Sequence, residues 1–177
     1  MDIFLIDVNC AKNIEPSLLK NFQHKDFSNE AKKFTHSLSY LMTDRILKEF
    51  YKIKDRELEF IDNKPFLKNK QKYFSISHSG KYIALGFSDA VCGIDIEKIT
   101  ERDFISIAKR MNFKSKTLEE FYQDWTKYEA EYKLGKEYNS LRNYTIDGYE
   151  LCAVSESESE NFQIYIQNGD NFSNAKN

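Results

Sequence analysis

Apolar residues come in short alternating or continuous bursts over much of this chain, and change to spacings of three and four in two places. Met1 to Val8 (Met-Asp-Ile-Phe-Leu-Ile-Asp-Val) is an apolar, β-rich run that predicts a buried first strand. From Asn29 to Phe50 the residues Phe34, Leu38, Leu41, Met42 and Ile46 recur at helical spacing, which predicts one long amphipathic helix flanked by Lys32, Lys33 and Arg45. Glu57 to Ile61 reads as a strand ending in Asp62-Asn-Lys-Pro65, where the proline biases Lys64 away from helix. Tyr73 to Ile76 and Tyr82 to Ser88 predict two strands joined by a Ser-His-Ser-Gly turn. Val91 to Ile99 continues as another strand.

The second half repeats that general order without visible sequence identity. Asp103 to Met111 predicts a short helix with Phe104, Ile107 and Ala108 inward and Lys109 and Arg110 outward. A longer helix begins near Thr117, carries Leu118, Phe121, Trp125, Tyr128 and Tyr132 on its inner stripe, and stops at Gly135. Tyr149 to Val154 and Phe162 to Ile166 are closing strands. The acidic run Ser155 to Glu160 between them reads as a solvated hairpin turn, because like charges repel and need water. Asn168 to Asn177 is polar and reads as a frayed tail.

Composition narrows the function classes. A chain of 177 residues, 41% of them hydrophobic, can bury one good core or two small ones packed together. A net charge of -2 argues against a whole-surface attraction to nucleic acid or to an anionic membrane, while leaving room for a local basic pocket. Cys10, Cys92 and Cys152 are odd in number and match neither a zinc site nor a disulfide framework, so they read as reduced thiols of a cytoplasmic protein. No apolar run approaches the ~20 residues of a membrane span, and residues 1–9 lack a signal peptide's basic flank.

Three carboxylates carry the candidate chemistry. Asp95 and Glu97, two apart in Gly-Ile-Asp-Ile-Glu (93–97), share one face of a strand while Ile94 and Ile96 take the other. Such a pair is tolerated when solvated, or when a hard cation such as Mg2+ compensates it through oxygen ligands. Glu129 lies four residues after Trp125 and four before Lys133, at the edge of the apolar stripe. There it is either half of a surface ion pair with Lys133 or a partly desolvated general base. Ser75-Ile-Ser-His-Ser-Gly80 is either a structural turn or a set of donors for a phosphate or nucleotide.

Read in order, Lys64-Pro65, Phe74-Ser-Ile-Ser-His-Ser-Gly80, Gly93-Ile-Asp-Ile-Glu97 and Trp125…Glu129-Ala…Lys133 resemble the 4'-phosphopantetheinyl transferases of the Sfp type, from about Asp55 to Val154. The resemblance implies an α+β fold of two similar halves, a pseudo-dimer with a small antiparallel sheet packed against helices in each, divided here as 1–89 and 90–177 with the site between. It implies transfer of the phosphopantetheine arm of coenzyme A to a serine of an apo acyl or peptidyl carrier protein. Asp95, Glu97 and Glu129 then correspond to the Mg2+ ligands, Glu129 to the base, and Lys133 to the lysine that steadies the phosphates. Ser77 and His78 correspond to residues meeting the nucleotide of coenzyme A, and Lys64 and Pro65 to the segment beside its adenine. A monomer is expected, with neither nucleic acid nor membrane as partner.

The chain departs from the family where Tyr128 replaces the lysine usual before the helix glutamate. Lys127 does not substitute for it, since a helix turns ~100° per residue. Candidates for gripping the 3'-phosphate are Lys20, Lys25, Lys33 and His36. The alternative function is a non-catalytic coenzyme A- or carrier-binding homologue.

Overall fold

The computed structural model describes residues 1–11, 14–62, 64–168 and 171–174, the side chains of 168, 171, 172 and 174 excepted. It is a mixed α+β arrangement built on three sheets. Strands β1 (Asp2–Asp7), β4 (Tyr73–Ser79), β5 (Tyr82–Ser88), β9 (Gln163–Asn168) and β10 (Asn171–Asn174) form a five-stranded sheet in the order β10-β9-β1-β5-β4. A hairpin of β2 (Leu58–Ile61) and β3 (Lys64–Leu67) stands apart. Strands β6 (Cys92–Lys98), β7 (Ser140–Ile146) and β8 (Tyr149–Ser155) form a three-stranded sheet, β6-β8-β7. The helices are α1 (Pro16–Lys20), α2 (Glu30–Glu49), α3 (Phe104–Met111) and α4 (Leu118–Leu134).

The continuous apolar run of β1 has its cause in burial on both faces. Phe4 and Ile6 join Leu38, Leu41, Met42, Ile46 and Leu47 of α2 in one core, while Ile3 and Leu5 face Ile94, Ile96, Leu151 and Ala153 of the smaller sheet in a second. Strands covered on both sides lose the polar alternation that one wet face would impose. Leu38 is fully buried, and Leu38→Ala is expected to cost about 2–5 kcal/mol, read from a urea melt.

Helix α4 covers the far side of the smaller sheet. Its start is fixed by a capping box, in which Thr117 accepts the Glu120 N–H and Glu120 accepts the Thr117 N–H, and its end by Gly135 at φ +77. The predicted inner stripe is corrected in its second half. Tyr122, Thr126, Ala130 and Leu134 are buried, whereas Tyr128 is 43% and Tyr132 68% exposed. The reason is close approach: a Cβ on Gly93 would lie 2.1 Å from the Ala130 carbonyl oxygen, so only small residues fit where the helix crosses β6.

Other expectations also shift. Strand β4 runs on to Ser79, so the turn to β5 is only Gly80-Lys81, with Gly80 at φ +54. Strands β3 and β7 were not foreseen, although Asp147-Gly148, both at positive φ, is the hairpin dipeptide that joins β7 to β8. The acidic run is no hairpin, because β8 and β9 lie in different sheets and β9 pairs parallel with β1. Nor is it wholly solvated: Glu160 accepts hydrogen bonds from Ser88 and Ser155. Part of the expected frayed tail, 171–174, is strand β10, and residues 169, 170 and 175–177 lie outside the described residues. Strands β1 to β5 fall before residue 90 and β6 to β8 after it, but β9 and β10 return to the first sheet.

Candidate active site

Where the two sheets meet, β4 and β6 are joined by serine side chains instead of a backbone ladder. The N–H groups of Ile94, Ile96 and Lys98 donate to the Oγ atoms of Ser75, Ser77 and Ser79 at 3.1, 3.3 and 3.0 Å. Period-two alternation puts all three hydroxyls on the β6 side of β4, and the same alternation sends His78 elsewhere. Ser77 and Ser79 spend their own protons on the carboxylates, donating to Asp95 Oδ1 at 2.7 Å and Glu97 Oε2 at 2.8 Å. Each hydroxyl therefore holds both the backbone and the side chain of the carboxylate segment. Ser77→Ala would leave the buried Ile96 N–H without its partner and is expected to destabilise by roughly 1–3 kcal/mol in a chemical melt, with Ser77→Thr recovering part of the loss.

Asp95 is buried, 4% exposed, and Lys133 of α4 reaches it. The Lys133 Nζ donates to Asp95 Oδ1 at 2.7 Å and to the Ile94 carbonyl at 3.1 Å, while Asp95 Oδ2 is buried with no hydrogen-bond partner among the described residues. Burial raises the Glu97 carboxyl above its ordinary pKa, Ser79 opposes that rise, and Asp95 adds to it. Glu129 is half-buried and has neither hydrogen bond nor ion pair among the described residues. The i, i+4 pairing open to it on spacing is not formed, because Lys133 is engaged with Asp95. Tyr128 packs edge-on against Phe113 at 6.1 Å.

Beside the carboxylates opens a cavity of about 520 Å³, lined among others by Lys25, His36, Lys64, Pro65, His78 and Lys133. Asp62 is the one acidic residue among its described lining residues. Lys64 also donates to the Tyr132 carbonyl at 3.0 Å, placing a cation at the C-terminal end of α4, where the helix dipole favours one. The His36 Nε2 is buried with no hydrogen-bond partner among the described residues. Of the four candidates for the 3'-phosphate, the fold brings Lys25 and His36 to this cavity and places Lys20 and Lys33 in a separate groove between α1 and α2.

All three histidines are held below their ordinary proton affinity. For His78, at the open wall of the cavity, desolvation is the larger cause and Lys133 the next; for His36 burial leads, then His24, Lys25 and His78; for His24 the cause is burial. The unfolded chain therefore takes up protons that the folded one refuses once pH falls below the ordinary value of 6.5. Stability from this source is full above that value and is lost as pH falls toward the lowered folded values. Urea midpoints measured from about pH 7.5 to about pH 5.5 are expected to decline, with a flatter decline in His78→Gln. An anion in the cavity reverses the shift, so its binding should tighten over the same fall in pH.

The predicted site residues thus divide into two groups that share Lys133. Asp95, Glu97 and Ser77 lie on the seam, while Lys64, Pro65 and His78 line the cavity. Ser77 faces the carboxylate and the β6 backbone. Among the described residues no three His, Cys, Asp or Glu side chains lie together as a metal-holding group. The pair itself fits a hard divalent cation in its donor chemistry: both are oxygen ligands, and one oxygen of Asp95 has no hydrogen-bond partner among the described residues. Burial pushes the Cys92 and Cys152 thiols up to about 12, which makes both inert as nucleophiles. No helix among the described residues is long and apolar enough to cross a membrane. No protein-family model matches this chain, and no curated protein matches it.

Proposed function

We propose that this chain is a 4'-phosphopantetheinyl transferase that uses Mg2+ to move the phosphopantetheine arm of coenzyme A onto a serine of an apo acyl or peptidyl carrier protein. The observation that carries this reading is the contact of Lys133 with Asp95 at the edge of a basic cavity, which sets a place for a nucleotide's anions beside a carboxylate pair suited to a cation. The reading of two similar halves is supported by chain order. A strand, a short helix, a long helix and a hairpin occur as β1, α1, α2, β4–β5 and again as β6, α3, α4, β7–β8, with the first strand antiparallel to the last in each.

In this reading Lys25, His36, Lys64 and His78 bind the nucleotide, Lys133 steadies the phosphates, and Asp95 and Glu97 hold the cation with Glu129. A divalent cation there would neutralise charge on the diphosphate. Glu129 accepts the proton of the carrier serine as its oxygen attacks the β-phosphorus, and the bond to the bridging oxygen breaks to release adenosine 3',5'-bisphosphate. The base requires a carboxylate the serine can reach, and Glu129 has no side-chain hydrogen bond or ion pair among the described residues that would hold it back. The carrier would meet α3, where Ile105 is 68% exposed and Lys109 and Arg110 are exposed beside it. The enzyme would act as a cytoplasmic monomer.

Intact-mass measurement of several apo carriers after incubation with coenzyme A and Mg2+ tests the proposal. A gain of one phosphopantetheine on any of them is expected; no gain on any, with a known transferase working in parallel, refutes it. A non-catalytic coenzyme A- or carrier-binding protein is the second reading, favoured by Tyr128, which stands where a lysine is usual in the family the chain resembles. It predicts coenzyme A binding that Glu129→Gln leaves unchanged, with no carrier modified. Lys109→Glu with Arg110→Glu is expected to raise the KM for an acidic carrier about tenfold while sparing kcat, measured by the same mass assay.

A further inference from the structure

Lys133 has one ammonium and two claims on it. The group sits on Asp95 Oδ1 at 2.7 Å and on the Ile94 carbonyl at 3.1 Å, yet the same side chain lines the cavity that Lys25 and Lys64 make basic. Asp95 is 4% exposed and its second oxygen has no hydrogen-bond partner among the described residues. A divalent cation arriving at Asp95 must share the carboxylate with an ammonium 2.7 Å away, and two positive charges at one buried carboxylate repel strongly. An anion in the cavity offers Lys133 another partner. At 26% side-chain exposure, on a four-carbon stem at the last turn of α4, this lysine can reorient without breaking the fold.

We infer that Lys133 is a coupling residue: it occupies Asp95 until a nucleotide anion enters the cavity and draws it away, so that anion and cation bind cooperatively, the anion first. In the resting protein the ammonium compensates a buried carboxylate that would otherwise be left unpaired. Moving it to the anion exposes Asp95 Oδ1 and Oδ2 together, beside Glu97, just when there are phosphates to neutralise. Ser77 keeps Asp95 in place throughout, since its hydrogen bond is independent of Lys133. By reciprocity the cation must then tighten anion binding by the same factor. This inference rests on the proposed nucleotide and cation roles of the site, but not on turnover.

The test is Mn2+ binding, followed by loss of the free-ion paramagnetic signal, with adenosine 3',5'-bisphosphate as the anion. Without nucleotide, Lys133→Met is expected to bind Mn2+ on the order of fivefold or more tightly than the wild type. Saturating bisphosphate should raise the wild-type affinity by a similar factor and that of the variant by clearly less, because direct metal–phosphate contact is common to both. Equal or weaker Mn2+ binding by Lys133→Met without nucleotide, or equal enhancement in both proteins, overturns the inference. Should Lys133→Met fail to fold, wild-type protein decides: the carboxylate carbon resonance of Asp95, assigned through Asp95→Asn, must shift on adding bisphosphate without metal, and an unmoved resonance overturns the inference. Carrier mass gain is measured separately on wild-type protein, so loss of the transferase reading and loss of the coupling remain distinguishable.

Discussion

Asp95→Asn is expected to lower carrier modification by on the order of 10²–10³-fold, through loss of the charge that would hold the cation. The substitution preserves shape and can still accept from Ser77, so the seam between the sheets survives. It removes the anion that Lys133 rests on, and a fall in stability of roughly 1–3 kcal/mol should accompany the loss of activity. Asp95→Ala is the harsher change. Strand alternation sets this side chain on the face opposite Ile94 and Ile96, yet it is buried and holds both Ser77 and Lys133, so alanine also strips two donors of their acceptor. The asparagine variant therefore separates chemistry from folding. Mass gain of the carrier and the melting curve are measured together, and undiminished transfer at saturating Mg2+ would sink the cation assignment.

Gly93→Val is expected to disturb the fold and the site together. A Cβ at this position would meet the Ala130 carbonyl oxygen at 2.1 Å and the Leu134 N at 2.9 Å, and both belong to backbone, which cannot swing aside as a side chain can. Helix α4 would have to lift from β6. Overpacking of this kind is expected to cost about 3 kcal/mol, which in a chain of this size corresponds to a fall in Tm of about 6–12 °C. Glu129 and Lys133 travel with the helix, so surviving folded protein should also transfer slowly. A melt within a degree of wild type would mean that the helix is not pressed on the strand at this point.

Both predictions depend on what could and could not be read along the chain. Elements whose faces are distinct were legible: the continuous run of β1, the stripe of α2 and the capping signals of α4 each state their burial locally. The aromatic stripe of α4 misled because size was taken for burial. Tyr128 and Tyr132 are exposed, and the true contact is made by Ala130 and Leu134 over Gly93 of β6, with α3 between them in the chain. Strand β7 was missed because its residues are mostly polar and half-exposed, although its Asp-Gly turn marked it. The serine motif was legible as a motif and not as a device. Nothing in Ser75-Ile-Ser-His-Ser79 says that three hydroxyls will receive the N–H groups of another sheet.

What the sequence by itself determined is local: which segments are strands or helices, which residues alternate onto a common face, and that Asp95 and Glu97 must point the same way. Strand geometry requires that much of any fold containing them. Only the tertiary structure decided the partners. It put Lys133 on Asp95 instead of beside Glu129, gathered Lys25, His36, Lys64 and His78 from four segments into one cavity, and left Lys20 and Lys33 outside it. Those outcomes depend on how the smaller sheet packs on the larger and how closely a helix can lie on a strand. Contacts between residues tens of positions apart are set by packing, and packing is a property of the whole chain.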